Sequence, residues 1–269
     1  MIFEIIVIGN EILSGHTLDT NSNWLCKQIS SIGGFVRRIT KVPDELTEIS
    51  AVIREALSRE PDFIITTGGL GPTFDDKTAQ GLALALDQPL EWNNDALEIV
   101  KKRYTELYEQ GLVDTPELTP PRKKMAYLPK GASVIYNRVG TAPGIIYTYK
   151  KTTVYVLPGV PAEMKTMFEE SVKPQILEKF SKLVRIEKEI EVDMTDESEF
   201  APIVERVMKE ISGVYVKSHP SVYSAKEKIR VAVSAVGESK KDVEIKVDMA
   251  LSLIKKYVKM YKESKSNEK

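Results

Sequence analysis

Two apolar periods alternate along the first two thirds of the chain. Ile2–Ile8 is an apolar run broken only by Glu4, and Phe63–Thr67 is a short apolar and β-branched run. Both are too short for typical helices and suit buried, parallel strands. A third such run, Phe35–Val42, stops at Pro43 and Asp44. Between the strands the period changes to that of a helix. The capping residues Asp19, Thr20, Asn21 and Ser22 precede WLCKQISSIGG, and Leu46, Ile49, Val52, Ile53, Ala56 and Leu57 keep one face behind Asp44, which is placed to cap them. Further helices are expected over residues 76–86 and 94–110, whereas residues 10–15 read as a polar loop. Strand and helix alternating at this spacing predict an α/β fold, three layers deep, with a mostly parallel sheet covered on both faces.

The pattern then changes. Residues 112–122 are proline-rich and irregular, an excursion over the surface or a lid. A strand is expected over residues 132–136, a hairpin over 145–149 and 153–157, and a helix opening at Pro161, where no intrahelical N–H bond is lost. A composition shift near Leu183 divides the chain into domains 1–183 and 184–269. Ile186, Ile190, Val192 and Met194 alternate with Glu187, Glu189, Glu191 and Asp193 in a half-buried strand whose acidic face is solvated. Next come a helix capped by Ser198, strands over 214–217 and 228–236, and a last helix through Val247, Ala250, Leu251, Ile254 and Val258. The tail from Lys262 reads as frayed. The order β-α-β-β-α predicts a small α+β domain with an antiparallel sheet.

Composition narrows the function classes. A formal net charge of −1 supplies no field to attract nucleic acid or an anionic membrane. With no apolar segment of bilayer length and no basic leader before MIFEIIVIGNEIL, a cytoplasmic protein is expected. The single cysteine, Cys26, excludes an internal disulfide and reads as a buried, inert thiol in a helix.

Candidate chemistry centres on PDFIITTGGLGPTFDDKT. A strand ending in Gly68, Gly69, Leu70, Gly71, Pro72 and Thr73 ahead of a helix start aims backbone N–H groups at one point, which is an anion cradle. Asp75 and Asp76 at its mouth would repel a phosphate unless a cation such as Mg²⁺ bridged them. An ordinary βα turn with an Asp cap is the alternative. Open parallel sheets bind ligands beyond the carboxyl ends of their strands. The strand ends here deliver Asn10 and Glu11, then Asp44, then the glycine loop, then Pro158 to Glu163, so acidic groups and glycine turns gather at one edge. Asp44 and Asp76 as caps, and Glu163 as a dipole partner, remain the bland readings. His16 reads as an exposed loop residue beside the site, and His219 as a loop residue that could reach it.

GNEILSG with DTN, VPDE, TTGGLGPTFDDKT, NRVGTAPG and LPGVPAEMK together resemble the amino-terminal part of the CinA (competence/damage-inducible) family. More distantly they resemble the molybdopterin-binding domain shared by MoaB, MogA and gephyrin, over roughly residues 1 to 180. YVKSHP resembles the middle domain of CinA-like proteins. The resemblance implies metal-dependent hydrolysis of ADP-ribose to AMP and ribose 5-phosphate, with pterin-phosphate binding or adenylylation, or a non-catalytic nucleotide module, as alternatives. It implies a divalent metal, Mg²⁺ or a transition metal such as Co²⁺, at Asp75 and Asp76. Asp76, Asp44 and Glu11 are the implied catalytic residues. The glycine loop 68–73 with Asn21, Thr141, Gly144, Gly159 and Glu163 would hold the nucleotide. A small-molecule nucleotide or pterin phosphate is the expected partner, with no nucleic acid and no membrane, in a homo-oligomer. The pyridine-nucleotide deamidase domain of full-length CinA proteins is not expected in this sequence.

Overall fold

The computed structural model describes residues 1–180, 184–219 and 228–267, so Leu183, Pro220 and the last two residues lie outside it. The chain forms two compact units, the first from Met1–Ser30 and Gly34–Phe180. That unit runs β1 (Ile2–Ile8), α1 (Asn10–Leu13), α2 (Thr20–Ser31), β2 (Phe35–Val42), α3 (Leu46–Ser58), β3 (Phe63–Thr67), α4 (Thr78–Ala85), β4 (Leu90–Trp92), α5 (Asn94–Glu109), α6 (Pro120–Lys124), β5 (Tyr127–Pro129), β6 (Ser133–Ile135), β7 (Gly144–Tyr149), β8 (Thr152–Leu157) and α7 (Pro161–Met167). A π-helical turn, Phe168–Val172, leads into α8 (Lys173–Lys179).

Six strands make one sheet in the order β2-β1-β3-β8-β7-β6. The β2-β1-β3-β8 portion is parallel and the last two strands are antiparallel. Period-two alternation sorts the apolar side chains of the central strands onto two faces. Ile6, Ile8, Ile64, Val154 and Val156 join α3, α4 and α5 in one core. The intervening Phe3, Ile5, Val7, Phe63, Ile65 and Leu157 point the other way and are buried as well, as are Leu25 and Ile29 of α2, Met164 and Met167 of α7 and Ile176 of α8. These two cores flank the sheet in a three-layer α/β/α arrangement. Because β1 is followed by β2 on one side and β3 lies on the other, the strand order reverses at β1/β3, where such sheets open a crevice.

The second unit contains β9 (Val184–Val192), α9 (Glu197–Glu210), β10 (Val214–His219), β11 (Ile229–Gly237) and α10 (Lys240–Asn267), with the antiparallel order β10-β11-β9. Val192, Phe200, Val207, Val231, Val233, Val247 and Ile254 form its core.

Several local expectations change. Residues 10–13 form a short helix, because Leu13 N and Ser14 N bond back to Gly9 O and Asn10 O. The cap of α9 is Asp196, whose carboxylate accepts from Ser198 N at 2.8 Å, which puts Ser198 inside the helix. The chain from Lys262 continues α10 to Asn267. His219 sits in the β10/β11 ladder opposite Arg230 instead of in a loop. Part of the irregular 112–122 segment becomes α6, opened by Pro120. Cys26 is half-buried, and burial with the nearby Asp19 charge pushes its thiol up, away from the reactive thiolate. No helix among the described residues is long and apolar enough to cross a membrane.

Candidate functional site

The loops following β1, β2, β3 and β8 enclose a cleft of about 480 Å³. Gly68 makes that convergence possible. Its φ is +110°, and a Cβ placed on it would lie 2.0 Å from the carbonyl oxygen of Ile8 on the adjacent strand. Its N–H meanwhile bonds Leu157 O at 3.0 Å, so three strand ends meet around one residue without a side chain. Gly68→Ala is therefore expected to destabilise the first unit by at least about 3 kcal/mol. Urea unfolding followed by tryptophan fluorescence measures it; a near-parental midpoint would contradict the close approach.

The glycine loop is fastened behind and open in front. Thr78 Oγ1 donates to Gly68 O at 2.8 Å and Thr78 N to Gly69 O at 3.0 Å, which starts α4 at Thr78 rather than near Asp76. Among the described residues, the N–H groups of Gly69, Leu70 and Gly71 have no protein acceptor. Three consecutive unused donors in a turn form a nest for an anion. Farther along, Asp76 folds back over the loop. Its Oδ2 accepts from Thr73 N at 2.9 Å and from Thr73 Oγ1 at 2.6 Å, and would lie 2.6 Å from a Cβ on Gly71. Asp75 also bonds Thr73 Oγ1. Lys124 Nζ donates to Thr73 O.

Asp44 does not cap the helix after it. The N-cap of α3 is Glu45 and makes no side-chain capping bond. Asp44 Oδ2 instead accepts from Asn10 N at 2.8 Å, while Lys77 Nζ donates to Asp44 O at 3.1 Å. Burial pushes the Asp44 carboxyl above its ordinary range. The bond from Asn10 opposes that shift, and the charges of Glu11, Asp75 and Asp76 reinforce it. Four carboxylates thus crowd the mouth of an anion nest. Asp75 itself is held below the usual range by its bond from Thr73, its own backbone N–H and the charges of Lys124 and Lys77.

The opposite wall is the 137–144 loop. Asn137 is fully buried; its Oδ1 accepts from Val139 N and Gly140 N, and its Nδ2 donates to Ala142 O at 2.9 Å and Glu163 Oε2 at 2.6 Å. Arg103 reaches over from α5 to bond Gly140 O at 2.8 Å and Val139 O at 3.0 Å. Burial raises the Glu163 carboxyl, against the bond from Asn137 and the charge of Arg103.

The cleft brings together Glu11, Asp44, residues 68–72, Asp75, Asp76, Thr141, Gly159 and Glu163. Thr73 is not among the lining residues and serves as the partner of both aspartates. Asn21 lines a smaller adjoining chamber of about 80 Å³. Its Nδ2 donates to Gly159 O at 2.7 Å and Thr67 Oγ1 at 3.0 Å, leaving Oδ1 a buried acceptor without a partner. Gly144 is not in the cleft: it begins β7, buried opposite Ile135, where a Cβ would press on Val156 O at 3.1 Å. His16 is not among the lining residues. Thr17 and the clamp formed by Asn137 and Arg103 were not singled out from the sequence. Asn137 belongs to NRVGTAPG and carried a signal there; Arg103 sits in an ordinary amphipathic helix and carried none.

Comparison with known proteins agrees with this fold. Residues 4–178 match the family described as the probable molybdopterin binding domain. A Pyrococcus furiosus protein is 46% identical over 221 residues, covering 82% of this chain and 85% of its own length. A Saccharolobus solfataricus protein is 41% identical over 244 residues, 91% of this chain and 86% of its own. The crystal structure of CinA from Thermoplasma acidophilum, itself described as of unknown function, superposes with a TM-score of 0.58 at 40% identity, over 65% of this chain and 98% of that one. The chain belongs to the molybdopterin-binding-domain family, among its CinA-like members.

Proposed function

We propose that the cleft hydrolyses a nucleoside pyrophosphate of the ADP-ribose type, in the cytoplasm, to AMP and ribose 5-phosphate. The observation that carries this reading is the juxtaposition of opposite demands. The unused N–H groups of Gly69 to Gly71 call for an anion, and the carboxylates Glu11, Asp44, Asp75 and Asp76 call for a cation. A pyrophosphate with a divalent ion meets both. The donor set suits an ion that arrives with its substrate. Among the described residues, no group of three or more carboxylate, histidine or cysteine side chains is spaced to enclose a metal. Mg²⁺ retains water and phosphate oxygens and needs only one or two carboxylates, which Asp75 and Asp76 supply. When bound, such an ion offsets the charge that develops on the leaving phosphate.

The chain's own groups do the rest. The glycine-loop N–H groups hold one phosphate. Asp44, with one oxygen engaged by Asn10 N, takes a proton from water on its other oxygen, and Glu11 stands beside it as the second acceptor. As the water oxygen bonds to one phosphorus, the bridging P–O bond breaks and its electron pair departs on the other phosphate. Glu163 and Thr141 close over the substrate from the 137–144 wall.

Phosphorus NMR of the protein with ADP-ribose and Mg²⁺ or Co²⁺ tests this. Metal-dependent loss of the pyrophosphate signals and growth of two monoester signals is expected. Asp44 must be ionised to act as a base and its carboxyl is held above the usual range. Turnover should therefore fall on acidification at a higher pH than an ordinary aspartate would give. Unchanged spectra with every metal would exclude the reaction. The family match favours a second reading, in which the ligand is a pterin phosphate that is bound or adenylylated. The exposed Phe35 and Ile39 on edge strand β2 support assembly as a homo-oligomer.

A further inference from the structure

On the other side of Asp76 from the cleft, a second cavity of about 340 Å³ opens between α4, α6 and the β4/β5 ribbon. Asp76 borders both spaces, so the turn holding the glycine loop is their shared wall. The chemistry differs across that wall. The cleft offers backbone N–H groups and carboxylates, whereas the side cavity offers the aliphatic walls of Ala79 and Leu90 and the ring of Tyr127. Besides Asp76, its polar groups are the Gln80 amide and the Lys124 ammonium.

The walls are held in advance of any ligand. Trp92 stands edge-on to Tyr127, with ring centroids 5.2 Å apart at 77°, and leaves the tyrosine 44% exposed. On α6, Arg122 lies over the Tyr104 ring at 3.7 Å and donates to Thr115 O at 2.7 Å and Glu117 O at 2.8 Å. Lys124, half a turn on, ties the same helix to the Thr73 carbonyl. The proline-rich excursion is thereby bolted to the glycine loop as a fixed wall, and a preformed, mainly apolar space beside an anion site is what a planar ligand requires.

We propose that this side cavity takes the heteroaromatic ring, purine or pterin, of a ligand whose phosphates lie on the glycine-loop N–H groups, the ring stacking on Tyr127 between Ala79 and Leu90. Gln80 reads the ring edge, since one amide supplies both an acceptor and donors and such rings display both. An inorganic phosphate would gain nothing from aliphatic and aromatic walls. The proposal rests on the anion reading of the cleft but not on turnover.

Two variants separate the ring from the phosphates: Ala79→Phe fills the cavity, and Tyr127→Leu removes the stacking face. Calorimetric titration with inorganic pyrophosphate, ADP and hydroxymethylpterin pyrophosphate, each with Mg²⁺, compares ligands that share a diphosphate group. In the parent protein at least one ring-bearing ligand is expected to bind more tightly than inorganic pyrophosphate. Both variants, with parental circular dichroism, should bind that ligand at least about tenfold more weakly, in line with the worth of an aromatic stack. Their hold on pyrophosphate should be unchanged. The ligand that loses affinity identifies the ring as purine or pterin. Parental affinity for both ring ligands in folded Ala79→Phe overturns the assignment, as does equal weakening of pyrophosphate. Ring binding without ADP-ribose hydrolysis would defeat the proposed reaction and leave the ring site standing.

Discussion

Asp76→Asn is expected to lower ADP-ribose turnover by at least about 100-fold in a protein that remains folded. The structural role of the side chain survives the change. An amide oxygen can accept from Thr73 N and Thr73 Oγ1 where Asp76 Oδ2 does now, at 2.9 and 2.6 Å, and the replacement has the same shape beside Gly71. The stability cost should stay within about 1 kcal/mol. What is lost is a negative charge at the point where the proposed cation is held, so the metal concentration for half-maximal rate should rise. A second consequence concerns Asp44. Burial is the chief reason its carboxyl is raised, with Glu11, Asp75 and Asp76 adding their repulsion. Removing one repelling charge lets that carboxyl ionise at lower pH, and the acid limb of the residual activity should move down with it. Phosphorus NMR of turnover, a thermal melt and the pH profile test these together. Parental turnover in folded Asp76→Asn would end the assignment.

The legible part of this site is the local part. Strand β3 and its glycine turn are consecutive residues, and the free N–H groups of Gly69 to Gly71 follow from a turn whose backbone is engaged only from behind. Order along the chain likewise revealed which strand ends carry acids. The orientation of Asp44 was not legible, because its partner, Asn10, lies 34 residues away at the start of α1; at short range a carboxylate ahead of a helix always resembles a cap. The same limit misplaced the start of α4. Asp75 and Asp76 have the composition of a helix start, but the competing turn to Thr73 and the bond from Thr78 N to Gly69 O delay the helix. The side cavity left no periodic trace at all. Its β4 and β5 walls are three residues each, too short to show alternation, and their pairing joins segments separated by α5 and α6.

Glu4 carries the largest expected effect on stability. It stands in line with Ile6 and Ile8 on a strand otherwise apolar, is 1% exposed, and meets two arginines from different elements. Arg37 Nη2 of β2 donates at 2.7 Å; Arg59 Nη2, at the end of α3, donates at 2.6 Å with its Nε at 2.9 Å. Burial alone would raise this carboxyl, but the bonds from Arg59 and Arg37 and their charges outweigh burial and hold it below the ordinary 4.5. A carboxyl with a lowered folded value stabilises the fold fully above its unfolded value, and that contribution disappears as pH falls through the lower, folded one. Glu4→Ala leaves Arg37 without a carboxylate and Arg59 with Glu55 alone, and should cost about 3–5 kcal/mol at neutral pH. Toward pH 2 the difference from the parent should shrink. Both tryptophans, Trp24 and Trp92, lie in the first unit, so their fluorescence in urea reports this unit without the second. Replacing all three charged residues by apolar ones, Glu4→Leu with Arg37→Met and Arg59→Met, should recover most of the loss, because no uncompensated charge then remains. A single variant as stable as the parent at neutral pH, or a gap that widens on acidification, would show that Glu4 does not hold β2 and α3 to the central strand through its charge.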